Sequence, residues 1–418
     1  MDPPLAVPST SGGGGSSSLS ESSETPPSGN TTPPRDDSKT ESEPEPEPTE
    51  TTEPPPPPPP GPWDYQLPCL PPLLRFLPGG ATGRDHFSPR DVASAIQHGA
   101  TFQELERYFY YYGEAAVRET LKTPSSSSVE GFDLMFYAVA TNKPAIVRLC
   151  ILFGGDAKAV HPRSGTPLIA FAILQADSIQ QHTTGVVSVL LALGASARVF
   201  PSAFYTPFLQ DLPLDGPHDD LLTDLAEAEK SWCRAPKVRK KLAQTMDLSQ
   251  RYFLARQVRA KKPSARHVQV ATGFKMQSLL GIQYFLIGQT SAAASLKTKL
   301  LAYMTLPSNR PLVLVFAGPS GHGKTELARK LGELLNLPLQ VVDCTIYSKE
   351  ADLFGYRPPH QRALEGTPVN NFLVNHDGKR CIMFLDEFEK TTEDVHQSLL
   401  IPFDNGETPS PLLSSLPS

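Results

Sequence analysis

The run GPSGHGKT at residues 318–325 spaces its glycines and lysine as a loop that holds phosphate oxygens. Gly318, Gly321 and Gly323 let the backbone curl until successive N–H groups point into one concavity. Pro319, Ser320 and His322 fill the intervening places of that loop. Lys324 is set to reach the outer phosphates, and Thr325 offers a hydroxyl to Mg2+. Further along, CIMFLDEFEK (381–390) ends an apolar run on Asp386 and Glu387. Acids at the carboxyl end of a buried strand stand where open α/β sheets place their ligands. Asp386 would hold Mg2+ through water, and Glu387 would polarise an attacking water. Each half has a plainer alternative, since glycines make ordinary tight turns and paired acids are common in loops. Lys-Thr after an apolar run decides the first, and the loop itself raises the second. Together they describe binding and hydrolysis of a nucleoside triphosphate with Mg2+.

Three elements must position these groups. Residues 312–316 form an apolar, β-branched run that reads as a buried parallel strand ahead of the loop. Residues 326–335 follow with helical spacing, bringing the positive end of a helix dipole to the loop. Between the loop and the Asp386 strand in the chain, LPLQVVDCT (337–345) supplies a third strand.

GPSGHGKTELA, IGQTSAAA (287–294), LDEFEK and DVHQSLLIPFDNG (394–406) together resemble the Clp-type AAA+ ATPases, close to the second ATPase ring of the bacterial and fungal disaggregases. The resemblance covers residues 286–406. It implies that Ile287, Gly288 and Gln289 match the family's Gly-Gln element near the adenine, and that the cofactors are ATP and Mg2+. It also implies a self-assembled ring acting on a polypeptide client. Two departures matter. Aligning LFG (353–355) puts His360, Gln361, Arg362 and Ala363 where the family carries its Gly-Tyr-Val-Gly pore loop, which makes threading by an aromatic paddle doubtful. After Gly406 the chain reads ETPSPLLSSLPS, where the family would continue with a sensor, an arginine finger, another strand and a helical lid. In the family's strand order that further strand lies between the loop strand and the Asp386 strand. The expectation is an AAA+ domain incomplete at its C-terminus, an open sheet and little turnover from this chain alone.

The 418 residues ahead of and around this site are uneven. Residues 1–60 hold 17 prolines, 11 acidic and 2 basic side chains, a net charge of −9, while the rest is near neutral at +3. A nearly neutral body argues against a nucleic-acid coat. No apolar run approaches the length of a membrane helix, and the N-terminus has neither a signal core nor an Arg-rich transit pattern. Five scattered cysteines without a Cys-x-x-Cys fit a reducing compartment, and a cytoplasmic location is expected. Residues 1–62 read as a disordered Pro/Glu-rich tail with a polyproline rod at 54–60. Residues 63–88 read as an extended strip lying on a domain.

Two short helices are expected at 91–99 and 101–112, with the aromatic cluster 108–112 in the core. AIVRLCILFGGDA (145–157) and GVVSVLLALGASA (185–197) are two copies of one pattern, and Asp133 and Thr166 take matching places ahead of them. A period of 33 with one insertion around 175–184 accounts for the spacings. With Thr-Pro-Leu opening one helix and Leu-Leu-x-x-Gly-Ala closing the next, the pattern resembles ankyrin repeats. That resemblance implies a helical stack over 89–215 that binds a protein partner, with a decayed third unit at Thr206-Pro207. Seven acids at 211–229 precede eleven basic residues and one Asp at 234–266. Residues 216–285 therefore read as a solvated helical linker whose basic half pairs with its acidic half, although the basic run leaves a nuclear location open.

The fold expected is multidomain: a disordered N-terminus, an all-α ankyrin-like repeat stack, and an α/β P-loop NTPase (AAA+) core at 286–406, followed by an unrelated tail at 407–418. The function expected is an ATP-hydrolysing protein remodeller with repeats for partner binding. The alternative is a non-hydrolysing ankyrin-repeat interaction protein that carries an ATPase remnant.

Overall fold

A computed structural model describes residues 63–73, 86–306, 310–356 and 366–407. The Pro/Glu-rich tail, the pore-loop position at His360–Ala363 and residues 408–418 lie outside the described residues.

Helices dominate, and they come in pairs. Pro89–Gln97 with Phe102–Tyr112, Leu134–Ala140 with Pro144–Leu152, and Leu168–Leu174 with Thr184–Ala192 stack in chain order, first helix on first helix and second on second. The first helices of the latter two pairs are nearly all apolar because they are covered on every side: residues 134–139 and 168–174 are buried throughout. Local chemistry sets where they start. The Asp133 carboxylate accepts Met135 N–H at 2.9 Å and Ser127 Oγ–H at 2.7 Å. Burial pushes that carboxyl above its ordinary range. Gly155 ends its pair where a Cβ would come within 2.5 Å of Met135 Sδ. The extra residues at 175–184 form a short helix, Ala176–Ile179, between the two members of a pair.

The aromatic run 108–112 divides. Tyr108 and Phe109 are buried, whereas Tyr110 and Tyr111 are 54% and 61% exposed. One helix offers a single buried stripe, so consecutive residues cannot all enter it.

Two expectations are corrected here. Residues 197–210 hold only 3-10 turns, Ala197–Val199 and Ser202–Phe204, and no helix pair forms at Thr206-Pro207. Residues 236–259 are not a solvated linker. Pro236–Thr245 and Leu248–Arg259 pack on Leu168–Leu174 and Thr184–Ala192 in the same order as the earlier pairs. Val238, Leu242, Phe253 and Leu254 enter the shared core. The basic residues that mask this pattern sit mostly on the outside, where Lys240 pairs with Asp215 of the acidic stretch at 2.6 Å; Arg239, its side chain largely covered, pairs with Asp219 at 2.8 Å. Asp247 and Gln250 form a reciprocal cap at the second helix, and Gln250 Nε2 also donates to Thr183 Oγ1 at 3.1 Å. Arg251 is buried, and its guanidinium donates to the carbonyls of Phe204, Gln210 and Pro207 at 3.0, 2.7 and 2.9 Å. It thereby fastens the irregular segment to the stack.

Beyond residue 264, Ala265–Gly273, Gln277–Tyr284, Thr290–Thr305 and Lys324–Leu335 share a second core that includes Leu279, Leu296, Leu300, Leu331 and Leu335. Gln277–Tyr284 also lies against Thr184–Ala192, so close that a Cβ on Gly281 would sit 2.3 Å from Ala192 Cβ. Leu339–Asp343 and Ile382–Asp386 form a parallel pair in the register Leu339 to Ile382 through Asp343 to Asp386. A third core around Val342, Phe354, Val369 and Val395 covers them.

Residues 312–316 depart from the expected buried strand. They enter no ladder among the described residues. Leu312, Leu314 and Phe316 pack on the second core, while Val313 and Val315 are 46% and 84% exposed. The segment keeps the period-2 alternation of a strand with one face covered, but no strand among the described residues pairs with its N–H and C=O groups. No helix among the described residues is long and apolar enough to cross a membrane.

Arg251 tests the reassignment of the basic segment. Arg251→Ala strands three carbonyls and should cost about 3 kcal/mol or more of stability. Arg251→Lys should recover only part, because an ammonium lacks the planar fork. Lys237→Ala, on the exposed face, should stay within about 0.5 kcal/mol. Denaturant midpoints of the three variants measure this, and a neutral Arg251→Ala would return the segment to a linker.

Candidate nucleotide site

The loop at 318–323 is shaped by three residues that a side chain would strain. Gly318, Gly321 and Gly323 take φ of 152°, 78° and 76°. Gly323 is the residue before Lys324–Leu335, and no side chain caps that helix. Its first N–H groups are therefore left for an external acceptor. Gly323 also lies under Leu286, where a Cβ would approach Leu286 Cδ1 to 2.5 Å.

Lys324 folds back over the loop and donates to the carbonyls of Gly318 and Pro319, each at 2.9 Å. These bonds hold the ammonium over the concavity, from which it can exchange carbonyls for phosphate oxygens. Thr325 Oγ1 lies 3.3 Å from Asp386 Oδ1, which joins the two halves of the site across 61 residues. Arg329, one turn further along the helix, reaches Asp386 Oδ2 at 3.9 Å. His322 Nδ1 lies 3.1 Å from Ser320 O within the loop and reaches no acid there.

Glu387 follows Asp386 in a left-handed turn, φ 55°. Its Oε2 lies 2.7 Å from Lys390 Nζ, and the carboxylate holds that ammonium above its ordinary range. The predicted base thus stands next to Asp386 in the chain while its side chain is engaged at the surface. The parallel register also brings Asp343 beside Asp386 at the strand ends. Its Oδ1 accepts Thr345 N–H at 3.0 Å and Thr345 Oγ–H at 2.6 Å, which keeps the carboxyl below its ordinary range.

A cleft of about 380 Å³ opens beside the loop. Gln289, Ala292, Ser295 and Lys299 of the 289–299 stretch line one side, and residues 314–319 with His322, Gly323 and Lys324 line the other. Of the three residues in the Gly-Gln element, Gln289 borders the cleft. Gly288 makes the turn before it at φ 83°, and Ile287 is exposed outside it. Lys299, Arg329 and Asp343 were not singled out from the sequence. Lys299 reaches the cleft because it lies on Thr290–Thr305, the helix that follows Gln289.

The oxygen set fits Mg2+. A threonine hydroxyl and one carboxylate in contact, beside a phosphate loop, suit a cation that keeps most of its ligands as water and phosphate. Among the described residues no group of three or more His, Cys, Asp or Glu side chains forms a protein cage for a metal.

Residues 313–414 match the family described as AAA domain, dynein-related subfamily. The chain is 30% identical over 91 residues to a Lon protease of Phenylobacterium zucineum (strain HLK1), covering 22% of this chain and 11% of that protein. It is 32% identical over 96 residues to the ClpA homolog protein of Fuscovulum blasticum, covering 22% and 12%. It is 37% identical over 106 residues to the ATP-dependent protease ATP-binding subunit-like protein AmiB of Pseudomonas aeruginosa, covering 23% and 29%. The chain spans between about a tenth and three tenths of the length of these curated relatives. The loop, the Asp386 strand and their surroundings are an AAA+ domain.

Gly323→Ala tests the loop geometry. A left-handed conformation costs an alanine about 1–2 kcal/mol, so ATP affinity should fall on the order of tenfold with helix content unchanged. Titration with a fluorescent ATP analogue reads it, and parent-like affinity would mean that the loop is not where the triphosphate sits.

Proposed function

We propose that this chain is an ATP-binding Clp-type AAA+ protein that couples ATP hydrolysis to remodelling of a polypeptide, and that its helical stack is an ankyrin-like docking element for a protein partner. The observation that carries this reading is the uncapped helix start at Gly323 and Lys324 facing a glycine loop, with Thr325 already against Asp386. Backbone N–H groups of Gly318 and of residues 320–324, Pro319 having none, donate to the phosphate oxygens. The Lys324 ammonium moves from two carbonyls to the outer phosphates, adding charge-assisted bonds. Thr325 and Asp386 would hold Mg2+, which would supply charge to offset that of the phosphates. Gln289 and the cleft beside it receive the base. Glu387, once released from Lys390, takes the proton of the attacking water. A cytoplasmic, ring-forming protein is the setting that this reading implies.

Two observations favour a second reading, an interaction protein whose ATPase site does not turn over. Glu387 is bound to Lys390, and residues 312–316 stand outside any ladder among the described residues. A site in that state binds a triphosphate without aligning a water.

Two substitutions separate the readings. Lys324→Ala should weaken ATP binding more than tenfold, since each lost charge-assisted bond is worth about 1.5–3 kcal/mol. Glu387→Gln should leave binding intact and abolish turnover, because an amide cannot accept the proton. Equal ATP affinity of Lys324→Ala and parent would overturn both readings. Binding without turnover in the parent chain, unchanged in Glu387→Gln, would select the second.

A further inference from the structure

Residues 63–73 cross the first helices of the stack as a strap that turns at Tyr65, φ 66°, where Gln66 N–H donates to Asp64 Oδ1 at 3.0 Å, and runs on through Pro68–Pro72. Trp63, Tyr65 and Leu67 face inward while Asp64 and Gln66 face solvent. Trp63 lies among Phe132, Phe136, His161 and Phe171, with ring centroids 5.2, 5.8, 4.5 and 5.2 Å away, and it stacks on Phe171 at 16°. Its indole N–H is satisfied inside the strap by Gln66 O at 2.9 Å, so it enters the aromatic site without an unpaired donor.

Seven residues on, the stack grips the strap by its main chain. Gln97 Oε1 accepts Leu70 N–H and Gln97 Nε2 donates to Pro68 O, both at 2.9 Å. His98 Nε2 lies 2.9 Å from Leu70 O, and Ser94 Oγ donates to Pro71 O at 2.7 Å. Leu70 is buried between these bonds. The rings that receive Trp63 also contact one another, Phe136 and Phe171 at 5.4 Å and Phe132 and His161 at 4.7 Å. The strap contributes no helix or strand of its own.

Side chains that read the backbone of an extended proline-bearing segment, together with one aromatic anchor site, are the components of a peptide-recognition groove. We propose that this inner face is a binding site for an extended peptide with an aromatic anchor, proline five and eight residues after it and leucine seven after it, and that residues 63–73 occupy the site in cis and yield it to such a partner. Prolines at 68, 71 and 72 fix the extended form beforehand and lower its ordering cost. The proposal rests on the stack being a protein-docking element and is independent of the nucleotide site.

The test uses the full chain and a fluorescein-labelled synthetic peptide of residues 63–73 with serine at 69. A tethered strap acts at roughly millimolar effective concentration, so the parent should take up little peptide at micromolar levels. Trp63→Ala should bind it at least tenfold more tightly, and adding Gln97→Ala should remove that gain. To separate displacement from misfolding of Trp63→Ala, the parent is also grown with 5-fluorotryptophan. Of its two tryptophans, the Trp63 fluorine resonance should move to a solvent position under millimolar unlabelled peptide, while buried Trp232 stays. Rejection of the peptide by a folded Trp63→Ala chain, or a Trp63 resonance unmoved by excess peptide, would make the strap a fixed part of the core. Parent chains that exchange straps as dimers would overturn occupancy in cis. Docking of a partner through exposed Tyr110 and Tyr111 on the other helix layer would survive any of these results, which keeps the failure of this groove distinct from failure of the docking role.

Discussion

A phosphate loop works only if the helix that follows it is held firmly from behind and left bare in front. Lys324–Leu335 meets both conditions. Leu327, Leu331, Leu334 and Leu335 are buried against the core that also holds Leu296, Leu300 and Met304. At about 1.5–3 kcal/mol for each fully buried leucine side chain, that stripe far outweighs any single polar contact at the loop. In front, no side chain caps the first turn, and Gly323 fits beneath Leu286. The remaining parts of the site take their places from this helix: Thr325 finds Asp386, Arg329 follows one turn behind, and the Gln289 helix forms the opposite wall.

The same helix touches the stack. Glu333, on its last turns, lies 3.8 Å from Arg148 of Pro144–Leu152. Alongside, Gly281 meets Ala192, Tyr284 enters the stack's own core, and Arg256 donates to Thr290 at 2.7 Å. Lys275 and Glu114 complete the seam as an ion pair. The nucleotide loop and the helical pairs therefore share packed apolar surface as well as charges. The apolar contacts fall on residues 277–284, whose 3-10 geometry and small Gly281 permit the close approach.

How much of this could be read from residues follows from what each signal encodes. The glycine loop was legible because positive φ at Gly318, Gly321 and Gly323 is a local demand that glycine meets, and Lys-Thr after it leaves few other uses. Asp386 was legible by its place after an apolar run. The 312–316 run was misread in part because an apolar strand pattern reports burial, not pairing, and one covered face suffices to explain Leu312, Leu314 and Phe316. The pair 236–259 was hidden by charge. Its apolar positions Val238, Leu242, Phe253 and Leu254 keep helical spacing, but eleven basic residues around them mimic a solvated connector. Lys299 and Asp343 carry no motif. They join the site through the packing of a helix and the register of a parallel pair, which only the three-dimensional arrangement supplies.

The loop is held by its helix and not by its strand, and amide hydrogen exchange on the full chain without nucleotide tests this residue by residue. Strong protection is expected across 327–335, intermediate protection in the 339–343 and 382–386 pair, and exchange at 312–316 about a hundredfold or more faster than in that pair. Protection of 312–316 equal to that of 382–386 would show a strand partner that pins the loop from the front, and the helix would then not be its main support.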